Sequence, residues 1–132
     1  MRSYNVLMIE DDIDDRYITD KYFLDNGYNI SVEYADKNML DYLGKSGRMP
    51  HLILMSGKYG LELLSKLKAH ELYCQIPVVI LTELSHPFNI NEAYRLGAGS
   101  VIVKPSTHQL TEEKIKDFSK YWFSTVELPA LP

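Results

Sequence analysis

Short apolar runs recur along the chain, each bounded by polar or turn-forming residues. They are Val6-Leu7-Met8-Ile9, Leu52-Ile53-Leu54-Met55, Val78-Val79-Ile80-Leu81 and Val101-Ile102-Val103. Runs of this length with many branched side chains are typical of strands that are buried on both faces of a parallel sheet. Ile30, Val32 and Tyr34 instead alternate with polar residues, which predicts a further, half-exposed strand at an edge of the sheet.

The segments between these predicted strands show helical periodicity. Residues 13–26 carry an apolar stripe that includes Ile13, Tyr17 and Leu24, and Gly27 follows at the position of a helix C-cap. Further helical patterns are centred on residues 38–44, 61–67, 90–94 and 115–122. Strands that alternate with helices at this spacing predict an α/β protein with a three-layer, doubly wound, five-stranded parallel sheet and helices on both faces.

Composition narrows the class of protein. The chain has 132 residues, of which 45% are hydrophobic and 24% charged, values typical of one globular domain. Its 14 basic and 18 acidic residues give a net charge of -4, so direct nucleic-acid binding is not expected. The only cysteine, Cys74, has no partner for a disulfide, and no apolar run approaches the length of a membrane span. A cytoplasmic protein without membrane contact is expected.

Polar side chains follow the predicted buried strands. They are Glu10, Asp11 and Asp12 after the first strand, Ser56 after the third, Thr82 after the fourth and Lys104 after the fifth. Because ligands of open parallel sheets bind outside the carboxyl ends of the strands, these groups are expected to converge. The acid pair suits a hard cation such as Mg2+, and a hydroxyl with an ammonium suits a phosphoryl group. The alternative is that Asp11, Asp12 and Asp14 only cap the following helix.

At these residues the chain resembles the receiver domain of two-component response regulators. The motifs that carry the resemblance are Val6-Leu7-Met8-Ile9-Glu10-Asp11-Asp12, Pro50-His51-Leu52-Ile53-Leu54-Met55, Gly60-Leu61-Glu62, Pro77-Val78-Val79-Ile80-Leu81-Thr82, and Gly97-Ala98 leading into Val103-Lys104-Pro105. The resemblance assigns residues 1–126 to the receiver domain and 127–132 to a C-terminal tail. It implies a flavodoxin-like strand order 2-1-3-4-5.

The resemblance also implies roles for individual residues. Glu10 and Asp11 match the positions that hold Mg2+, Thr82 matches the switch hydroxyl, and Lys104 matches the lysine that contacts the phosphoryl group. By the same resemblance the Lys104-Pro105 peptide is expected to be cis, an isomer almost confined to X-Pro bonds.

The expected phosphoacceptor Asp is absent. In the family it lies directly after strand three, which here would be between Met55 and Ser56, and the following loop is four residues short of the family pattern. Counting back from Gly60 places Ser56 at the position of a loop proline. Two explanations remain open: the loop is truly shortened, or a mobile loop segment belongs to the molecule and is absent from the sequence.

Two functions follow from these observations. The first is a non-enzymatic receiver that takes a phosphoryl group from a histidine kinase or phosphotransfer protein with Mg2+ and signals to a downstream protein partner, with a homodimer as a further expectation. The alternative is a pseudo-receiver that binds protein partners without being phosphorylated. A flavodoxin-like cofactor binder is disfavoured, because the acids after strand one would repel its phosphate.

Overall fold

The structure, a computed structural model, describes residues 2–24, 27–59, 61–83 and 87–130. Its strands are β1 (Ser3–Ile9), β2 (Asn29–Ala35), β3 (Leu52–Ser56), β4 (Val78–Glu83) and β5 (Ser100–Lys104). Its helices are α1 (Ile13–Leu24), α2 (Met39–Ser46), α3 (Glu62–Ala69), α4 (Ile90–Arg95) and α5 (His108–Lys120). Short 3-10 turns cover Gly57–Tyr59 and Tyr73–Gln75, and a π-helical turn at Tyr121–Thr125 follows α5. None of the helices in the described ranges is long and apolar enough to cross a bilayer.

The five strands form one parallel sheet in the order β2-β1-β3-β4-β5, which confirms the predicted fold class. The alternating strand β2 lies at an edge, as its pattern predicts. Register pairs Ile9 with Met55, Met55 with Ile80, and Thr82 with Val103. The carboxyl ends of β1, β3, β4 and β5 therefore lie side by side at one edge of the sheet.

Each face of the sheet carries its own hydrophobic core. Leu7 and Ile9 of β1 belong to the core under α2, α3 and α4, whose buried members include Met39, Leu64 and Ala93. The intervening residues Val6 and Met8 belong to the opposite core, together with Phe23 of α1 and Phe118 of α5. Because successive strand side chains point to opposite faces, an apolar run with no polar interruption requires helices on both sides.

The predicted core-facing stripe of α1 is wrong at two positions. Ile13 is 78% exposed and Tyr17 70% exposed, whereas Phe23 is 2% exposed and packs on the sheet. Apolar residues are distributed around this helix, so periodicity does not single out one face. Packing of the large Phe23 ring against the sheet decides which face is buried.

Alanine substitution at two glycines, one with a positive φ and one inside a helix, tests the backbone conformation at each position. Gly97 follows α4 with a φ of +107°, and a Cβ there would lie 3.1 Å from Lys68 Cγ. Gly97→Ala should therefore lower the unfolding free energy by roughly 1–3 kcal/mol. Gly44, inside α2, has open space around it, so Gly44→Ala should raise that free energy by about 0.5–1 kcal/mol. Urea unfolding of both variants measures the difference, and equal effects would contradict the assigned Gly97 conformation.

His51 links the start of β3 to β1 and makes stability depend on pH. Its backbone N–H donates to Asn5 O at 2.8 Å, and Asn5 N–H donates to its Nδ1 at 2.9 Å. Burial, with the charge of Arg48, lowers the pKa of His51. The unfolded chain therefore binds the proton more readily, and stability should fall as pH falls from about 6.5 through the lower folded-state pKa. Chemical unfolding between about pH 7 and about pH 5 should show a smaller decline for His51→Gln than for the wild type.

Candidate functional site

The buried carboxylate of Glu10 is the centre of the site at the carboxyl edge of the sheet. Glu10 directly follows β1 and is 2% exposed. Its Oε2 accepts hydrogen bonds from the backbone N–H groups of Asp11 at 2.9 Å and Asp12 at 3.3 Å. Burying a carboxylate is costly unless its charge is compensated by hydrogen bonds and a nearby cation.

Lys58 supplies that cation. It comes from the 3-10 turn after β3, and its Nζ lies 2.5 Å from Glu10 Oε2 and contacts Asp11 Oδ1. Hydrogen bonds to Asp11 and then Glu10 raise the pKa of Lys58, and the bond to Lys58 holds the pKa of Asp11 below its usual range. The Lys58 ammonium therefore lies between the Glu10 and Asp11 carboxylates, where the resemblance predicts a metal ion.

Lys58 is the functional residue that sequence analysis missed. It is the only basic side chain in the short segment between β3 and α3. Because β1 and β3 are adjacent and parallel, a residue just after β3 lies beside the end of β1. The predicted strand order could therefore have indicated that Lys58 lies close to Glu10 and Asp11.

The neighbouring acids have structural roles. Asp12 Oδ1 accepts a hydrogen bond from Asp15 N–H at 3.1 Å at the start of α1, so the capping interpretation is correct for Asp12. Arg16 Nε donates to Glu10 O at 2.5 Å, and its guanidinium lies 5.0 Å from the centroid of the Tyr34 ring. These contacts fix the chain where it leaves β1.

Thr82 lies next to Gly57, the first residue of the 3-10 turn. It is 5% exposed within β4, and a Cβ on Gly57 would lie 3.2 Å from its Oγ1. Among the described residues its Oγ1 has no hydrogen-bond partner, and the buried Tyr59 hydroxyl likewise has none. Burial, followed by the charge of Asp11, raises the pKa of Tyr59. The unpaired Thr82 hydroxyl thus lies against Gly57 of the turn, and the Tyr59 ring lies beside Lys58, with 5.7 Å between its centroid and Lys58 Nζ.

Lys104 does not join Asp11. Its Nζ lies 3.6 Å from Asp15 Oδ2 of α1, and no ion pair connects Lys104 to Asp11 within the part of the chain that the structure describes. The structure therefore brings Glu10, Asp11 and Lys58 together, whereas the convergence expected for Lys104 is not observed.

The Lys104-Pro105 peptide is trans, since the described backbone contains no cis bond. The expected cis isomer is thus wrong, and the trans form is the one that X-Pro bonds favour by about 0.5–1 kcal/mol.

Comparison with known proteins identifies the family of this chain. A family model of the response regulator receiver domain matches residues 6–116. The chain belongs to this family. The chemotaxis protein CheY of Pseudomonas aeruginosa is 29% identical to this receiver domain over 114 residues, which cover 84% of this chain and 92% of that protein. The chemotaxis protein CheY-3 of Vibrio cholerae is 27% identical over 117 residues, covering 86% of this chain and 90% of that protein.

Solved structures support the fold assignment of the receiver domain. The phosphorylated cyanobacterial phytochrome response regulator RcpA superposes with a TM-score of 0.87 at 23% identity. The match covers 98% of this chain and 100% of that one. At this identity the likeness concerns the fold alone. Receiver domains are signalling modules, which sets the functional class of the chain.

Strand β3 ends in a serine, beside the place where the phosphoacceptor Asp was expected. Ser56 follows Met55 directly, is the last residue of β3 and pairs with Leu81 of β4. No aspartate lies between Met55 and Ser56, and the assignment of Ser56 to a loop proline position stays a prediction. The chain then makes one 3-10 turn and begins α3 at Glu62, so the fold accommodates the short connection.

Replacing Thr82 by valine tests whether its hydroxyl is unpaired. Thr82→Val removes a buried group without a partner and keeps the branched shape, so the unfolding free energy should rise by about 1 kcal/mol. Thr107 offers a matched control, because its Oγ1 accepts from Leu110 N–H at 3.2 Å and caps α5. Thr107→Val should lower the unfolding free energy by about 1 kcal/mol. Denaturant unfolding distinguishes the two, and similar losses in both variants would show that Thr82 Oγ1 has a partner.

Proposed function

We propose that this receiver domain signals by protein contact without phosphorylation at the family's acceptor position. The observation that carries the proposal is the Lys58 ammonium, which lies 2.5 Å from Glu10 Oε2 and contacts Asp11 Oδ1. This built-in cation offsets one of the two negative charges of the acid pair. The site is then fixed in one charge state, and a partner would recognise a surface that does not depend on phosphorylation.

The residues present fit Mg2+ poorly. Mg2+ requires a nearly octahedral set of oxygen ligands, usually with one or two carboxylates facing open space for water. Here Glu10 Oε2 already accepts from two backbone N–H groups and from Lys58, and the end of β3 offers the Ser56 hydroxyl where a third carboxylate is expected. Over residues 2–24, 27–59, 61–83 and 87–130, no group of three or more His, Cys, Asp or Glu side chains is arranged to hold a metal.

The proposed partners are proteins. A downstream protein partner is the primary one, and a histidine kinase or phosphotransfer protein would dock as a binding partner and not as a phosphoryl donor. The net charge of -4 speaks against direct binding of nucleic acid. We propose a cytoplasmic location, and a homodimer stays a prediction that light scattering of the purified protein can test.

A phosphoryl-accepting receiver that uses Mg2+ is the second candidate. The observation that favours it is the Thr82 hydroxyl, which is 5% exposed and has no partner among the described residues. Such a group is able to donate a hydrogen bond to a phosphoryl oxygen. The acceptor would then be Ser56, whose phosphate ester is more stable than an acyl phosphate.

Mg2+ titration by calorimetry tests the role of Lys58. The wild-type protein should show no saturable binding at millimolar Mg2+, whereas Lys58→Met, which removes the charge and keeps the stem, should gain it. The control is Lys66→Met, because Lys66 lies on α3 and pairs only with Glu62 at 3.1 Å among the described residues. This variant should behave like the wild type. Saturable submillimolar binding by the wild type would overturn the proposal.

Chemical phosphorylation separates the two candidate functions. Incubation with a small acyl phosphate and Mg2+, followed by intact-mass measurement, should leave the mass unchanged if the proposal holds. A gain of one phosphoryl group that resists hydroxylamine and disappears in Ser56→Ala would establish the second candidate. Partner affinity that changes with beryllofluoride would also contradict phosphorylation-independent signalling.

A further inference from the structure

A large cavity lies on the face of the sheet that α1 and α5 cover. Its volume is about 480 Å³, within the range of small-molecule sites in proteins. Leu54, Leu81 and Ile102, from the adjacent strands β3, β4 and β5, form its floor. Phe23 of α1 and Phe118 of α5 contribute to its walls. Neither the Lys58 cluster nor Thr82 lines this space.

The burial of neighbouring strand residues shows that this cavity interrupts the core. Val79 and Leu81 lie on the same face of β4, two residues apart. Val79 is fully buried, whereas Leu81 is only partly buried although β4 has a strand on each side. Protein interiors are normally close-packed, with few voids larger than a water molecule. An apolar space of this size at the carboxyl edge is therefore suited to a ligand.

Two lysines and two carboxylates line the mouth of the cavity, and one of the lysines has no carboxylate partner among the described residues. Lys104 and Asp15 line the mouth and pair with each other at 3.6 Å, linking β5 to α1. Lys114 of α5 also lines it and donates to Val103 O at 2.9 Å. Among the described residues Lys114 has no carboxylate partner. The exposed Glu83 is the other charged residue at this mouth, at the tip of β4.

The start of α5 gives the part of the mouth near Lys114 a preference for an anion. Residues 105–108 line the cavity, and α5 begins at His108, so the positive end of a 13-residue helix faces the same opening. A ligand with an apolar body would replace the missing packing atoms. A single anionic group on that ligand would lie between Lys114 and the helix N-terminus, away from Glu83.

We propose that this cavity binds a small organic acid, with an unbranched apolar chain inside and its carboxylate at Lys114. The ligand is a free acid and not a bilayer lipid, because the site lies between a sheet and two helices. The inference goes beyond the proposed function and shares no residue with the Lys58 cluster. Mg2+ titration and acid binding can therefore fail independently.

Three ligands of one chain length test the proposal. Calorimetry with decanoate, decanol and decylamine, below their aggregation limits, compares an anionic, a neutral and a cationic head on the same chain. Decanoate should bind saturably and about tenfold more tightly than decanol, with decylamine weaker still. The absence of saturable decanoate binding, or equal affinity for the three, would overturn the proposal.

Matched variants locate the bound acid. Lys114→Met should reduce decanoate affinity to that of decanol, about tenfold, and leave decanol binding unchanged. Lys116→Met is the control, because Lys116 lies on the same helix, pairs with Glu112 at 3.8 Å and does not line the cavity. Leu81→Trp should fill the space and abolish binding of all three ligands, with circular dichroism confirming the fold. Unchanged decanoate binding in Lys114→Met, or in folded Leu81→Trp, would place the acid elsewhere.

Discussion

Compensation of the buried Glu10 carboxylate is the constraint on which the site depends. Glu10 is 2% exposed, so its charge is separated from bulk water. Burial of this charge is tolerated only with hydrogen-bond donors or a cation nearby. Two backbone N–H groups and the Lys58 ammonium provide them. The carboxylate thereby fixes the course of the chain after β1 and the position of the turn after β3. Asp11 joins the same cluster at its exposed side.

The short connection after β3 and the position of Lys58 are parts of one arrangement. A single 3-10 turn keeps the backbone close to the sheet, so Gly57 packs against Thr82 while Lys58 reaches the acids of β1. A longer loop would give this lysine more freedom and more solvent. One positive charge beside the Glu10 and Asp11 carboxylates is thus supplied by the protein chain itself, from the short segment after β3.

Lys104 belongs to a different part of the molecule from the Lys58 cluster. Its ion pair with Asp15 connects β5 to α1 at the mouth of the cavity between the sheet and the helices α1 and α5. The carboxyl edge of the sheet therefore carries two separate features. One is the cluster of Glu10, Asp11 and Lys58 at β1 and β3. The other is an apolar space at β4 and β5, and Lys114 at its opening has no carboxylate partner among the described residues.

The sequence by itself determined the strands, their parallel arrangement and the location of Glu10, Asp11 and Thr82 at the carboxyl edge. These follow from uninterrupted apolar runs in four strands, from alternation in β2, and from the tendency of strands joined by helices to form a parallel sheet. The tertiary structure alone decided that Lys58 pairs with Glu10, that Lys104 pairs with Asp15, and that α1 leaves Tyr17 exposed. A lysine has a long, flexible stem, so its partner depends on where loops and helices bring carboxylates in space. A helix with apolar residues on several sides is likewise oriented by the side chains that pack beneath it. Those side chains come from distant parts of the chain, so the local sequence does not determine the buried face.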